Sequence, residues 1–397
     1  MSASDQPASV EEILCRLIAI PSVNPMGRDV EPDIAFEHRM TDWLERFFQS
    51  LGVEYERWDV APGRPNIIAR YKAPNSTTTI LLDAHQDTVP IDGMTVPPFE
   101  PIVADGKITG RGSVDIKGGM AAMLFAFRRL VRERPTTSAN VVMSCTCDEE
   151  ATVLGITNLV ERWNSGQLKL LPKRPDLAIV AEPTLLDVVV AHKGVLRLRI
   201  RTAGIACHSS DPSQGRNAIY RMARVVQVLE DYAAELSGIG EKHPLVGGPT
   251  LSVGRITGGT SVNIVPDACS IEVDRRLIPG ETWEAALAEL KEFVTRRVDF
   301  EVEFEPPWLT SHPLSDADNG ELAQSLLRHI EEVAGPRHAI GVPFGTHASR
   351  TCAAGVPSVV FGPGSIARAH TKDEYIEIDQ LRMAAEVYYR ICSRPPV

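Results

Sequence analysis

Five short segments carry histidines or carboxylates where an apolar run gives way to a turn. TTTILLDAHQDTVP holds His85 and Asp87. Residues two apart in an extended segment point the same way. Asp87 therefore stands behind His85 and can accept the proton of its second ring nitrogen, which fixes the tautomer and strengthens the imidazole as a metal ligand. The competing reading is a loop histidine beside a surface acid. ITGRGSVDIKGGM places Asp115 in a Gly-rich turn before a helix. Its two oxygens could bridge two cations, or it could cap that helix. NVVMSCTCDEEATVLG ends a strand on Asp148, Glu149 and Glu150. Consecutive acids are costly to bury unpaired. A metal would offset that cost for one of them, and another could hold the proton of a reacting water. The alternative is an acidic first turn of the next helix. DLAIVAEPT ends on Glu182, and FGPGSIARAHTKDEY places His370 in a loop after a strand. Two histidines and three carboxylates suit a pair of Zn²⁺ ions with one carboxylate shared.

The elements that must position these residues follow from periodicity. Residues 9–20 and 34–51 repeat apolar positions every three or four residues, which predicts helices. NIIARY, TTTILLDAH and NVVMSCTC are β-branched runs, and KGGMAAMLFAFRRLVRER between the last two reads as a helix. That βαβ rhythm predicts an α/β domain with a mostly parallel central sheet flanked by helices. Ligands of such sheets gather at the carboxyl ends of the strands. After Glu182 the texture changes. VLRLRIRTAG alternates strictly, with Arg197, Arg199 and Arg201 on one face, as a half-exposed antiparallel strand does. A helix near Gly215–Leu236, strands TLSVGRIT and ACSIEVDRRL, a helix at about Trp283–Arg297 and a strand EVEFE complete an α+β unit. The expected organisation is a catalytic domain over residues 1–187 and 305–397, interrupted by an inserted α+β lid domain over 188–304 with an antiparallel sheet and two helices.

Composition narrows the partners. Apolar residues make up 43% of the 397 residues, enough for a globular chain with cores for about two domains. Against 41 Lys and Arg stand 52 Asp and Glu, a net charge of −11 that argues against nucleic acid and anionic membrane as partners. The polar N-terminus lacks signal-peptide character, and no apolar run is long enough to span a membrane. Seven cysteines, mostly in apolar stretches, fit reduced thiols and a cytoplasmic location.

The motifs AHQDTVP, GRGSVDIKGG, CDEEATVLG, VAEPT, CHSSDPSQGRNAI, GGTSVNIVPD, VDRRLIPGE and ARAHTKDEY occur in that order over most of the chain. As a set they resemble the co-catalytic zinc aminoacyl hydrolases: acetylornithine deacetylase, succinyl-diaminopimelate desuccinylase, aminoacylase and carboxypeptidase G. The resemblance implies His85, Asp115 and Glu182 on one zinc and Asp115, Glu150 and His370 on the other, with cobalt a workable substitute. It implies Glu149 as general base, Asp87 as the partner of His85, and His208 as a lid histidine that stabilises the oxyanion. Asn263, Arg276, Gly345 and Thr346 match substrate-contacting positions. The lid of this family commonly mediates a homodimer. Three positions depart from the common pattern: Ala84, Cys207 and His347, the last where many relatives carry Asp.

The implied reaction is hydrolysis of the amide bond of a small N-acyl amino acid. A dipeptidase or carboxypeptidase is the alternative within the same chemistry, and a catalytically inactive metal-binding protein the alternative outside it. Other signals fall short. Cys145 and Cys147 share a strand face but lack the further soft ligands of a thiolate zinc site. Gly362-x-Gly364-x-x-Ala367 opens no long helix of the dinucleotide-binding kind. Ser209 and Ser210 sit in no nucleophile elbow.

Overall fold

The computed structural model describes residues 7–238 and 242–396. The strands that carry the candidate ligands are buried along their whole length. In Thr79–His85 and Asn140–Thr146 every residue is buried. Alternation sends Ile80, Leu82, Val141 and Met143 into one core and Leu81 and Val142 into another. A strand covered on both faces reads as a continuous apolar run, as these two do.

They lie in an eight-stranded sheet with the edge-to-edge order Glu54–Ala61, Arg64–Tyr71, Asn140–Thr146, Thr79–His85, Leu177–Val180, Ser358–Val360, Val188–His192, Ala339–Val342. The four strands from Asn140–Thr146 to Ser358–Val360 are mutually parallel. Antiparallel pairings flank them, at Arg64–Tyr71 on one side and Val188–His192 on the other. Helices Val10–Ile18, His38–Leu51, Lys117–Glu133, Gly320–Ala334 and Ile378–Ser393 pack on one face of the sheet, and Leu154–Asn164 on the other. The first helix has a sequence-encoded start: Ser9 Oγ accepts the Glu12 N–H at 3.2 Å, and Glu11 and Glu12 sit in its positive first turn. The α/β class read from the sequence is the one observed. Strand Glu54–Ala61, with its charged alternation, was not anticipated.

The chain divides into two compact units. One comprises residues 1–190, 316–340 and 346–397, the other residues 191–315 and 341–345. The second holds a five-stranded antiparallel sheet built on Thr250–Gly258, Ala268–Leu277 and Gly194–Ala203, with Glu303–Phe304 and Leu309–Ser311 both pairing with the last of these. Helices Ala218–Gly238 and Trp283–Thr295 bury one face of it around Leu198, Ile200, Leu229, Ile271 and Leu290. On the opposite face Arg197, Arg199 and Arg201 pair with Asp274, Glu272 and Glu305. The inserted unit runs past the expected end at Phe304 because Leu309–Ser311 adds to its sheet. It starts at Ala191 rather than Val188, since Val188–His192 still pairs in the central sheet.

Candidate metal centre

All five candidate ligands fall within the first unit: His85, Glu150, Glu182 and His370 end or follow parallel strands of the central sheet, and Asp115 follows Lys107–Thr109, a strand of a small antiparallel sheet. Asp115 is the hub. Its Oδ1 lies 3.2 Å from His85 Nε2 and its Oδ2 lies 3.2 Å from His370 Nε2. His370 Nε2 is also 3.3 Å from Glu150 Oε2, and Glu182 Oε1 is 4.0 Å from His85 Nε2. Ligand atoms of His85, Asp115 and Glu150 all lie within 4.8 Å of one another.

The turn that presents Asp115 is held from two sides. Backbone N–H groups of Val114 and Asp115 donate to Glu374 Oε1, at 3.0 and 3.1 Å, and the other oxygen of Glu374 takes Arg111 at 2.7 Å. Glu374 is wholly buried and lies four residues beyond His370, so one carboxylate ties the Asp115 turn to the His370 loop. Beneath the turn, a Cβ on Gly118 would meet the Ser113 carbonyl oxygen at 2.5 Å, so only glycine lets the helix start this close.

Asp87 organises the other side. His85 Nδ1 lies 3.0 Å from the Asp87 carbonyl oxygen and 3.4 Å from its carboxylate, so the backbone oxygen is the nearer proton acceptor. The Asp87 carboxylate accepts the N–H groups of Glu149 and Glu150, at 3.1 and 3.2 Å, and the Asn24 amide at 2.8 Å. Burial would raise its pKa, but His85 and Asn24 hold it well below the usual carboxylate range.

The three consecutive acids are sorted by their partners. Asp148 turns back to Arg64 Nη1 at 2.5 Å, and Arg64 also grips Glu37 through Nε and Nη2. Glu150 reaches His370, and its Oε1 is buried without a hydrogen-bond partner. The Glu149 carboxyl makes no hydrogen bond among the described residues. Burial, reinforced by the neighbouring Glu150, Asp115 and Asp87 charges against the opposing pull of His85, pushes its pKa up to about 8. Burial with the Asp115 charge likewise pushes Glu150 up to about 7 and Glu182 well above the ordinary value. Hydrogen bonds to Asp115 and Glu150 push His370 up to about 11. Without a cation, this site must therefore hold protons.

His347, at the departure from the common pattern, is wholly buried. Its Nδ1 lies 2.8 Å from Asp83 Oδ2, and its ring stands edge-on to that of His85 with centroids 6.2 Å apart. Thr346 Oγ1 accepts the Ala348 N–H at the start of helix Ala348–Ala353, while Gly345 belongs to the second unit.

The other predicted residues lie in the second unit. His208 is exposed, and its Nδ1 accepts the Ser210 N–H at 3.2 Å, which leaves the ring proton of the neutral form on Nε2. Its loop is tied to that of Asn263: Ser209 N donates to the Asn263 carbonyl at 3.0 Å, and His208 bridges Ile264. Arg276 is already engaged by Asp274, through Nε at 2.7 Å and Nη2 at 3.2 Å. Sequence reading gave no role to Glu374, Arg111, Asn24, Glu37 or Arg64. Among these Glu374 and Arg111 carried a signal, each standing in a motif that also holds a candidate ligand, His370 and Asp115 respectively. The rejected signals also resolve: Cys145 and Cys147 are buried free thiols, and Gly364 leads only into a three-residue turn, Ile366–Arg368.

Comparison with known proteins gives a consistent picture. The model of peptidase family M20/M25/M40 matches residues 81–394. An acetylornithine deacetylase of Pectobacterium carotovorum subsp. carotovorum (strain PC1) is 32% identical over 397 residues, covering 96% of each chain. An M20 family metallo-carboxypeptidase of Sulfolobus solfataricus superposes with a TM-score of 0.77 at 20% identity, over 98% of this chain and 100% of that one. A dinuclear metal binding peptidase of Bacillus subtilis gives 0.67 at 17% identity, over 97% and 96%. At those identities the two solved structures speak for the fold alone.

Proposed function

The chain belongs to peptidase family M20/M25/M40 and is a hydrolase of amide bonds, and from that premise we propose that it is a two-zinc enzyme releasing the acyl group of an N-acyl amino acid. The observation that carries the metal reading is the single carboxylate Asp115 presenting one oxygen to His85 and the other to His370. The residues fit zinc: two imidazole nitrogens and carboxylate oxygens are its ordinary ligands. The unpartnered buried Oε1 of Glu150 and the strongly raised pKa of Glu182 mark a site short of positive charge. His85, Asp115 and Glu182 would hold one ion and Asp115, Glu150 and His370 the other. Zinc bound there would supply Lewis acidity toward the amide carbonyl oxygen.

The chain's own residues do the rest. Glu149, unengaged and with a raised proton affinity, takes a proton from water as the oxygen of that water adds to the carbonyl carbon. It then passes the proton to the leaving nitrogen as the C–N bond breaks, giving a carboxylic acid and an amine. Asp87 fixes the His85 ring and, through two backbone N–H groups, the turn that carries Glu149 and Glu150. His208, with its donor on Nε2, is assigned to the oxyanion. Nη1 of Arg276, which makes no hydrogen bond among the described residues, is assigned to the substrate carboxylate beside the nitrogens that Asp274 already holds.

The relative named above is an acetylornithine deacetylase, which favours an N-acyl amino acid over a dipeptide. A screen of N-acetyl, N-succinyl and N-carbamoyl amino acids and dipeptides, with zinc or cobalt supplied, tests this. Turnover of N-acyl amino acids in preference to dipeptides is expected. Preference for dipeptides would move the assignment to a peptidase, and a metal-loaded protein inert to every substrate would make it a binding protein. The seven free cysteines support a reducing, cytoplasmic setting. Among the described residues no helix is long and apolar enough to cross a membrane. A homodimer through the second unit is supported by its edge strand Thr250–Gly258, open along one side, and by the exposed Tyr220, Ile256 and Val262.

A further inference from the structure

At the amino-terminal ends of the same parallel strands, opposite the metal side, lies a cavity of about 340 Å³. Its walls are the end of strand Arg64–Tyr71, the loop that follows it and the segment Leu170–Arg174. Four cations line it, Arg70, Lys72, Lys173 and Arg174, with the hydroxyl residues Ser76, Thr77 and Thr79, and no carboxylate. None of the four forms an ion pair among the described residues, although acids outnumber bases in the chain. Of the nearby acids, Asp176 is turned to the Thr79 N–H at 2.8 Å and Glu56 to the Leu170 N–H, while Glu54 stands opposite Arg70 across the strand pair without an ion pair among the described residues; Arg174 uses one nitrogen on the Gly355 carbonyl. Arg70 Nε is buried with no hydrogen-bond partner.

The loop is built rather than loose. The buried Asn140 side chain accepts the Ala73 N–H at 3.1 Å and donates to the Ser76 and Thr78 carbonyls at 2.9 and 3.2 Å. Ser76 Oγ accepts the Thr78 N–H at 3.1 Å. One asparagine thus fixes the curve of the loop that carries Lys72, Ser76 and Thr77.

The geometry points to a binding site for a small phosphate-bearing molecule, remote from the metal centre. Like charges gathered without partners repel one another, and a concave wall of one sign concentrates counter-ions. A phosphate group matches the set: arginine offers paired donors, lysine a mobile point charge, and the hydroxyls fill the remaining acceptor positions. What sets this cluster apart from lysines and arginines that merely meet water is the loop fixed by Asn140. The volume suits a sugar phosphate or similar small metabolite.

Calorimetric titration of the zinc-loaded full chain with inorganic phosphate tests this against the double variant Lys72→Ala/Lys173→Ala. Both lysines are exposed and make no hydrogen bond among the described residues, so the variant should fold and hydrolyse its substrate as the parent does. Phosphate heat arising at the metal centre is common to both proteins and cancels in the difference. The parent should show a binding event of millimolar affinity or better at low salt, weakened at least about tenfold in the variant and by added salt. Arg70→Gln should weaken the same event without the loss of both lysines. Identical isotherms for parent and variants would overturn the site. Succinate binding as tightly as phosphate at equal ionic strength would overturn its assignment to phosphate.

Discussion

Glu149 and Glu150 are adjacent in the chain, share Asp87 as the acceptor of their N–H groups, and yet are assigned different tasks. The Glu150 carboxylate meets His370, whereas the Glu149 carboxyl meets no hydrogen-bond partner among the described residues. Glu149→Gln should therefore lower kcat by at least about 10²-fold, the usual worth of a positioned acid–base group. Zinc content measured by elemental analysis should stay at the parent level, and loss of zinc in this variant would reverse the two roles. A pH dependence follows from the same residues. In the metal-free site His370 is pushed up to about 11 by Asp115 and Glu150, and His85 is also raised because Asp115 and Asp87 outweigh its burial. A raised proton affinity on both rings means that a cation must compete with protons there. Zinc binding should release protons into weakly buffered solution and tighten as pH rises, and affinity that falls with rising pH would contradict this. The five candidate ligands were legible because each ends a strand or follows one as an acid or histidine. Choosing among Asp148, Glu149 and Glu150 from local sequence was not possible. The choice is made by Arg64 and Asn24, both distant in the chain, which engage Asp148.

At the scale of elements, the buried parallel strands and the alternating strand Gly194–Ala203 could be read directly, since burial on two faces or on one leaves different patterns in the sequence. Strand Glu54–Ala61 carries charges and lies at the sheet edge, where burial imposes no apolar run. The short strand Leu309–Ser311 exists by pairing with Gly194–Ala203, a contact that local sequence does not encode. The tie between the Asp115 turn and the His370 loop was equally hidden, because Glu374 and Arg111 meet only in the fold. Glu374→Ala would leave Arg111 buried and unpaired, a change that costs about 3–5 kcal/mol in such sites. Denaturant unfolding should show that loss, and zinc affinity should fall with it as the Asp115 turn loses the acceptor of its two N–H groups. Unchanged stability would mean that Glu374 does not hold them.

At the scale of the whole molecule, the metal ligands and His208 belong to different compact units. His208→Ala should lower turnover by about 10²–10³-fold, as loss of an oxyanion donor does, with zinc content intact. Mixing His208→Ala and Glu149→Gln subunits should restore part of the activity if the histidine serves its partner's site. No recovery despite proven subunit exchange would confine it to its own chain or exclude it from the reaction. A lid-mediated dimer is an expectation of the family resemblance alone, since an exposed edge strand and the apolar residues near it name no partner. The most direct test of the two-zinc account is the zinc content of the parent beside His85→Ala, His370→Ala and Asp115→Ala, after equilibration with excess zinc and removal of the unbound metal. Two zinc ions per chain are predicted for the parent, about one for each histidine variant, and weakened binding of both for Asp115→Ala. A parent that takes up no zinc, or one ion that either histidine variant abolishes, would contradict a shared-carboxylate pair.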